Sequence, residues 1–140
     1  MFDVSQWMGA VNWTAVLAVT VLGFVLGGLW YGPLFGRAWM AAVGKTEAEL
    51  AGGGMARPMT ISFVTAGISA LVLALLARGL GAETLGDGAL LGLATGAGLI
   101  ATGMGSDMAF RGDPLALWLI QSGYRVAYCV VMAAVLTVWR

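Results

Sequence analysis

Residues 121–128 place four polar side chains along one side of an otherwise apolar segment. Gln121, Tyr124, Arg125 and Tyr128 follow one another at short helical spacings, so in a helix they share a face about 100° wide. An amide, two phenols and a guanidinium all donate hydrogen bonds, and the guanidinium also carries a fixed positive charge. This pattern predicts a polar stripe on an otherwise apolar helix, and Asp107, near the end of the preceding predicted span, is the acidic residue expected to face it.

Two interpretations of this stripe are open. An unpaired arginine near the middle of a membrane costs at least ~2.5 kcal/mol, so Arg125 should face protein or water and find a partner. We expect Asp107 to be that partner, with Arg111 competing for Asp107 at the i+4 position. The stripe is then either a satisfied polar clamp between two helices or a pocket for a small solute or lipid headgroup.

The rest of the polar inventory argues against catalysis. The chain has no histidine and one cysteine, so its serines have no imidazole to activate them and its carboxylates are scattered. We therefore expect no enzymatic activity, no metal and no cofactor. The net charge is zero, which argues against a nucleic-acid partner. Cys129 lies in an apolar segment and is expected to be a small buried hydrophobe.

The elements that carry these residues are predicted to be membrane-spanning helices. Of the 140 residues, 60% are hydrophobic and only 10% are charged, and the mean hydropathy is +0.91. About 20 apolar residues cross a bilayer as a helix. The sequence predicts a single domain over residues 1–140, an all-α integral membrane four-helix bundle. The predicted spans are residues 13–31, 59–77, 88–110 and 115–139.

The segments outside these spans carry further signals. Asp3 stands where a signal peptide would have basic residues, so the first apolar run is expected to remain as an anchor. Pro33 marks the exit from the first span, and a short interfacial helix is expected after it. Thr46 and Glu49 have the spacing of a capping box. Basic residues favour a cytoplasmic loop 33–58, with both termini outside.

Glycine recurs at four-residue intervals in two of the predicted spans. Gly23 and Gly27 form a GxxxG pattern in the first span, and Gly92 and Gly96 repeat it in the third. Such a ridge allows close approach of another helix, either in a second subunit or within the same bundle. The third span has small residues on two faces, so we expect it to be central or to lie at a subunit contact.

Several of these residues also carry a family likeness. The relevant positions are Asn12-Trp13, the run Gly27-x-x-Trp30-Tyr31-Gly32-Pro33-Leu34-Phe35-Gly36, Trp39, and the pair Gly123-Tyr124. With them the chain resembles the domain of unknown function 1761 family, small four-helix bacterial membrane proteins of the cell envelope. Arg125 follows the Gly-Tyr pair where many relatives are expected to have histidine. The resemblance implies no activity; it implies the bacterial cytoplasmic (inner) membrane.

The functional expectation is a structural or interaction protein. We expect a homo-oligomer or an accessory subunit of an envelope complex, whose partners are the lipid bilayer, further copies of the chain and other membrane proteins. The alternative is a small oligomeric transporter or channel, for a small solute or lipid headgroup, with a polar path around Arg125.

Overall fold

A computed structural model describes residues 3–140 of the chain, and this part is helical with no strand. The predicted all-α fold is confirmed. The α-helices are α1 (Val4–Gly9), α2 (Trp13–Leu29), α3 (Gly36–Val43), α4 (Glu47–Gly52), α5 (Ala56–Gly79), α6 (Leu85–Leu93), α7 (Thr102–Arg111) and α8 (Leu115–Val138). Two π-helical segments, Trp30–Leu34 and Ala94–Ala101, continue α2 and join α6 to α7.

Four helical stretches are long and apolar enough to cross a membrane. They are Trp13–Leu34, Ala56–Gly79, Leu85–Arg111 and Leu115–Val138, and we call them the first to fourth spans. Each differs from its predicted bounds by a turn of helix or less. The agreement follows from the physics of the segments, because an apolar run of this length with few charged residues has few alternatives to a spanning helix.

The fourth span occupies the centre of the bundle. It has the largest buried share of the four spans, and it packs on α2, α5, α6 and the second π-helical segment. Of the two positions expected for the third span, the central one is wrong within the subunit, and a subunit contact on its other face stays a prediction. Its Gly88, Gly92 and Gly96 lie directly against the α8 backbone, but Ala94 and Gly98 on the other side are exposed.

The end of the first span is bent by its own sequence. Pro33 lies inside the π-helical segment, and Gly32 has the non-helical angles φ −100° and ψ −105°. The chain turns there into the amphipathic α3, which packs against α8. This is the short helix predicted after the first span. The predicted capping box is also present, with Thr46 and Glu49 each bonded to the backbone of the other at the start of α4.

The spans alternate in direction, which brings distant parts of the chain to two ends of the bundle. Val11, Arg78 and Trp139 surround one small cavity, so the start of the first span, the end of the second and the end of the fourth meet there. The opposite end joins the kink at Gly32, α3, the start of α5 and the first half of α8. We call it the loop end, and it holds the candidate site.

Candidate functional site

A cleft of about 420 Å³ opens at the loop end of the bundle. All four spans and α3 contribute to its walls. The lining residues are Phe24, Gly27, Gly28, Tyr31, Trp39, Met55, Pro58, Met59, Ser62, Ala66, Met104, Gln121, Tyr124 and Arg125. A volume of this size is in the range of small-molecule sites, and the mixture of apolar walls with a few polar groups is typical of them.

Arg125 provides the charge of the cleft. Its guanidinium carbon lies 5.7 Å from the ring centre of Tyr124 and 5.7 Å from that of Tyr128. Such cation–π contacts suit a weakly hydrated guanidinium away from bulk water. Arg125 also lines the cleft, so its charge acts on the interior of the cleft.

The predicted partnership between Asp107 and Arg125 is wrong. Asp107 is exposed and does not line the cleft. Within residues 3–140 no carboxylate lies within ion-pair distance of Arg125, and the ion pair found there joins Arg111 to Asp113 at 2.7 Å. Arg111 thus does not compete for Asp107 either. No hydrogen bond within this part of the chain uses the guanidinium, which leaves its donors available to a group in the cleft.

Both tyrosines of the predicted stripe are anchored to other helices. The Tyr124 hydroxyl donates to the carbonyl oxygen of Gly23 at 2.9 Å, and the Tyr128 hydroxyl donates to Ser69 Oγ at 3.0 Å. Their rings stack with centres 5.4 Å apart. These bonds tie the fourth span to the first and second, so the support beneath Arg125 is rigid. Of the predicted stripe, Gln121, Tyr124 and Arg125 line the cleft, and Tyr128 lies beneath them.

The aromatic motif that ends the first span forms the neighbouring wall. Trp30 Nε1 donates to the carbonyl oxygen of Ile120 at 2.9 Å, and the Tyr31 ring packs edge-on against Tyr124 and Trp39. The indole nitrogen of Trp39 is buried and has no hydrogen-bond partner among the described residues.

Asn12, the first residue of the motif, caps α2 by accepting from the Ala15 amide at the far end of the bundle, and Trp13 beside it is exposed.

The predicted packing glycines all make contacts inside the subunit. A methyl group at Gly23 would lie 2.5 Å from Met132 Cε, and one at Gly27 would lie 2.9 Å from the Tyr124 hydroxyl. At Gly92 and Gly96 it would meet the α8 backbone. Both glycine ridges therefore pack against α8 of the same subunit, which agrees with the interpretation as packing within the bundle. Cys129 is buried beside them, as expected.

Several lining residues were not predicted from the sequence. Tyr31 and Trp39 belong to the family motif but were not predicted to form part of a site, and no site role was predicted for Ser62. Met55, Met59 and Met104 also line the cleft. The sequence feature that could have indicated these residues is the concentration of aromatic side chains on both sides of Pro33. It exceeds what an aromatic belt at the membrane interface requires.

The geometry combines a fixed positive charge, several free donors and an apolar mouth, which suits the binding of an anionic group. Groups of three or more His, Cys, Asp or Glu side chains that could hold a metal ion are absent from the described residues. No curated protein and no solved structure matches the chain. Residues 14–137 match the family described as "Protein of unknown function (DUF1761)". The chain therefore belongs to the DUF1761 family of proteins of unknown function.

Proposed function

We propose that this multi-pass membrane protein binds a small anionic solute or lipid headgroup in the cleft at Arg125, as the binding step of a small transporter. The observation that carries the proposal is an arginine in the middle of a span, facing a cleft, with no carboxylate in ion-pair distance among the described residues. Such an arginine is costly in a bilayer, and an anion that enters the cleft would offset that cost.

The closed interior below the cleft favours a binding site over an open channel. Between Arg125 and the far end of the bundle lie the buried side chains of Val19, Tyr128 and Met132. These side chains close the interior of the bundle between Arg125 and the far end. Transport through such a site would require the spans to rearrange around a fixed binding group, as in other alternating-access proteins.

The test is stabilisation by anions in a neutral detergent. Ligands that bind the folded state raise the unfolding temperature, so the Tm is measured with chloride, acetate, inorganic phosphate and an alkyl phosphate at constant ionic strength. We expect at least one anion to stabilise the wild type and Arg125→Lys but not Arg125→Gln. Arg37→Gln, which removes an exposed arginine outside the cleft, is the matched control. Equal stabilisation of Arg125→Gln would refute the proposal.

A homo-oligomer, or an accessory role in an envelope complex, is the second candidate function. The third span has a row of exposed small residues on the side away from α8, formed by Ala94, Gly98, Thr102 and Ser106. Such a row allows close contact with another spanning helix. Native mass spectrometry of the solubilised protein tests this: we expect oligomers that Gly98→Leu weakens, and a monomer unaffected by that change would argue against it.

We further propose a bacterial inner-membrane location with the loop end in the cytoplasm. The support is the distribution of basic residues: Arg37, Lys45, Arg57 and Arg111 belong to the loop end, whereas Arg78 and Arg140 belong to the other. Basic residues favour the cytoplasmic side. Labelling of a cysteine introduced at Lys45 in intact cells and in inverted vesicles would test the orientation.

A further inference from the structure

The cleft differs between its floor and its mouth. The floor holds Arg125 and Gln121 beside the anchored ring of Tyr124. The mouth is lined by Met55, Met59 and Met104, of which Met55 and Met59 have exposed fractions of 52% and 42%. Methionine is unbranched and polarizable, so it adapts to apolar ligands of variable shape. The binding of a small inorganic ion would not require apolar side chains at the mouth.

One wall of the cleft consists of bare backbone. Gly27 and Gly28 both line it, and a methyl group built at Gly28 meets no atom within 4 Å. Packing within the bundle therefore does not require glycine at position 28. At position 27 it does, because a methyl group there would lie 2.9 Å from the Tyr124 hydroxyl. The missing side chain at position 28 leaves room alongside α2 from the mouth toward Arg125.

We propose that the ligand is a single-chain amphiphile whose oxyanion, a carboxylate or phosphate, pairs with Arg125 and whose apolar chain lies past Gly28 between the mouth methionines. The proposal rests on the proposed function, since it names the class of anion bound at that site. The guanidinium matches the planar pair of oxygens of such a headgroup. Gln121 is a further donor in the wall.

The experiment uses the full chain in vesicles of phosphatidylcholine, with a sixteen-carbon carboxylate that carries a photoreactive diazirine in mid-chain. After irradiation, labelled peptides are mapped by mass spectrometry. We expect labels on the α2 and α5 residues around Phe24 and Met59. Excess hexadecanoate or hexadecyl phosphate should remove the label, whereas hexadecanol, acetate and inorganic phosphate should not.

Two kinds of variant distinguish the contribution of the Arg125 charge from that of the open space beside Gly28. Arg125→Gln loses a charge-assisted contact, so labelling should fall at least about tenfold, and Arg125→Lys should retain most of it. Gly28→Leu keeps every polar group but fills the wall, so it should reduce labelling by a similar factor. Gly103→Leu is the matched control, because Gly103 is also free of neighbours within 4 Å and does not line the cleft.

The outcomes distinguish the inference from the proposed function. If hexadecanol competes as well as hexadecanoate, the proposed pairing of an oxyanion with Arg125 is refuted. If labelling survives both Arg125→Gln and Gly28→Leu, the amphiphile does not bind in the cleft. If acetate or inorganic phosphate removes the label and stabilises the protein through Arg125, anion binding holds and the amphiphile inference fails. Should Arg125→Gln not fold, Gly28→Leu and Arg125→Lys decide the result, since both retain the charge.

Discussion

The hydroxyl of Tyr124 donates a hydrogen bond to the backbone carbonyl of Gly23 at 2.9 Å, across 101 positions of sequence. The bond depends on the small residues of α2, because a methyl group at Gly27 would lie 2.9 Å from the same hydroxyl. The GxxxG pattern of the first span thus receives a tyrosine of the fourth span. Arg125 is the next residue along α8, so this bond fixes the floor of the cleft.

Tyr124→Phe should lower stability without disturbing the aromatic packing around it. Hydrogen bonds between spanning helices contribute about 0.6 kcal/mol on average and up to about 1.7 kcal/mol. We expect a loss within that range, because the Tyr124 hydroxyl is partly buried and has a defined acceptor. The free energy of unfolding, measured by titration with a denaturing detergent, checks the prediction.

The matched control is Tyr31→Phe. The Tyr31 ring packs against Trp39 and Tyr124, but its hydroxyl has no hydrogen-bond partner in residues 3–140. Removing that hydroxyl should therefore leave the free energy of unfolding within about 0.5 kcal/mol of the wild type. A loss in Tyr31→Phe equal to that in Tyr124→Phe would show that the bond to Gly23 is not the cause.

Much of the architecture could be predicted from the sequence because the membrane restricts the choices. Long apolar runs with few charged residues had to become spanning helices, and the spacing of Thr46 and Glu49 determined a cap through local bonds alone. The glycine ridges marked close approach correctly. Which helix would fill them, α8 of the same chain or a second subunit, depends on the tertiary arrangement, which residue spacing does not specify.

The face of the third span on which Asp107 lies could not be predicted, because a π-helical segment precedes it. A regular α-helix would place Asp107 close to the face of Gly96, which packs on α8. The π-helical segment Ala94–Ala101 has i→i+5 turns and so takes up an extra residue. One extra residue rotates the following side chains by about 100°. Met108 is buried in consequence, and Asp107 is exposed.

A double-mutant cycle between Asp107 and Arg125 tests this rotation directly. Residues without contact add their effects within about 0.5 kcal/mol, whereas an ion-pair clamp would give a coupling energy of about 0.5–3 kcal/mol. We expect Asp107→Asn alone to be nearly neutral and its coupling with Arg125→Gln to be below about 0.5 kcal/mol. The free energies of unfolding of the wild type, both single variants and the double variant provide the test.

Gly92→Ala should be strongly destabilising. A methyl group there meets the carbonyl oxygen of Cys129 and the Cα atom of Val130, which are backbone atoms and cannot move aside without shifting α8. Overpacking of this kind costs about 1–3 kcal/mol. The same substitution at Gly103, where a methyl group finds open space, should not destabilise. Equal Tm values for the two variants would contradict the close packing of α6 on α8.

The carboxyl group of Glu49 should titrate below its ordinary pKa of 4.5. The cause is hydrogen bonding from Thr46: its backbone N–H donates to Glu49 Oε2 at 2.7 Å, and this favours the ionised carboxylate. Because the pKa is lowered in the folded state, the cap stabilises α4 fully above the ordinary value and is lost as the pH falls through the folded-state pKa. Carbon-13 NMR of the Glu49 carboxyl group measures the midpoint. Thr46→Pro removes the donating N–H and should move the midpoint up toward 4.5, whereas an unchanged midpoint would mean that another group lowers it.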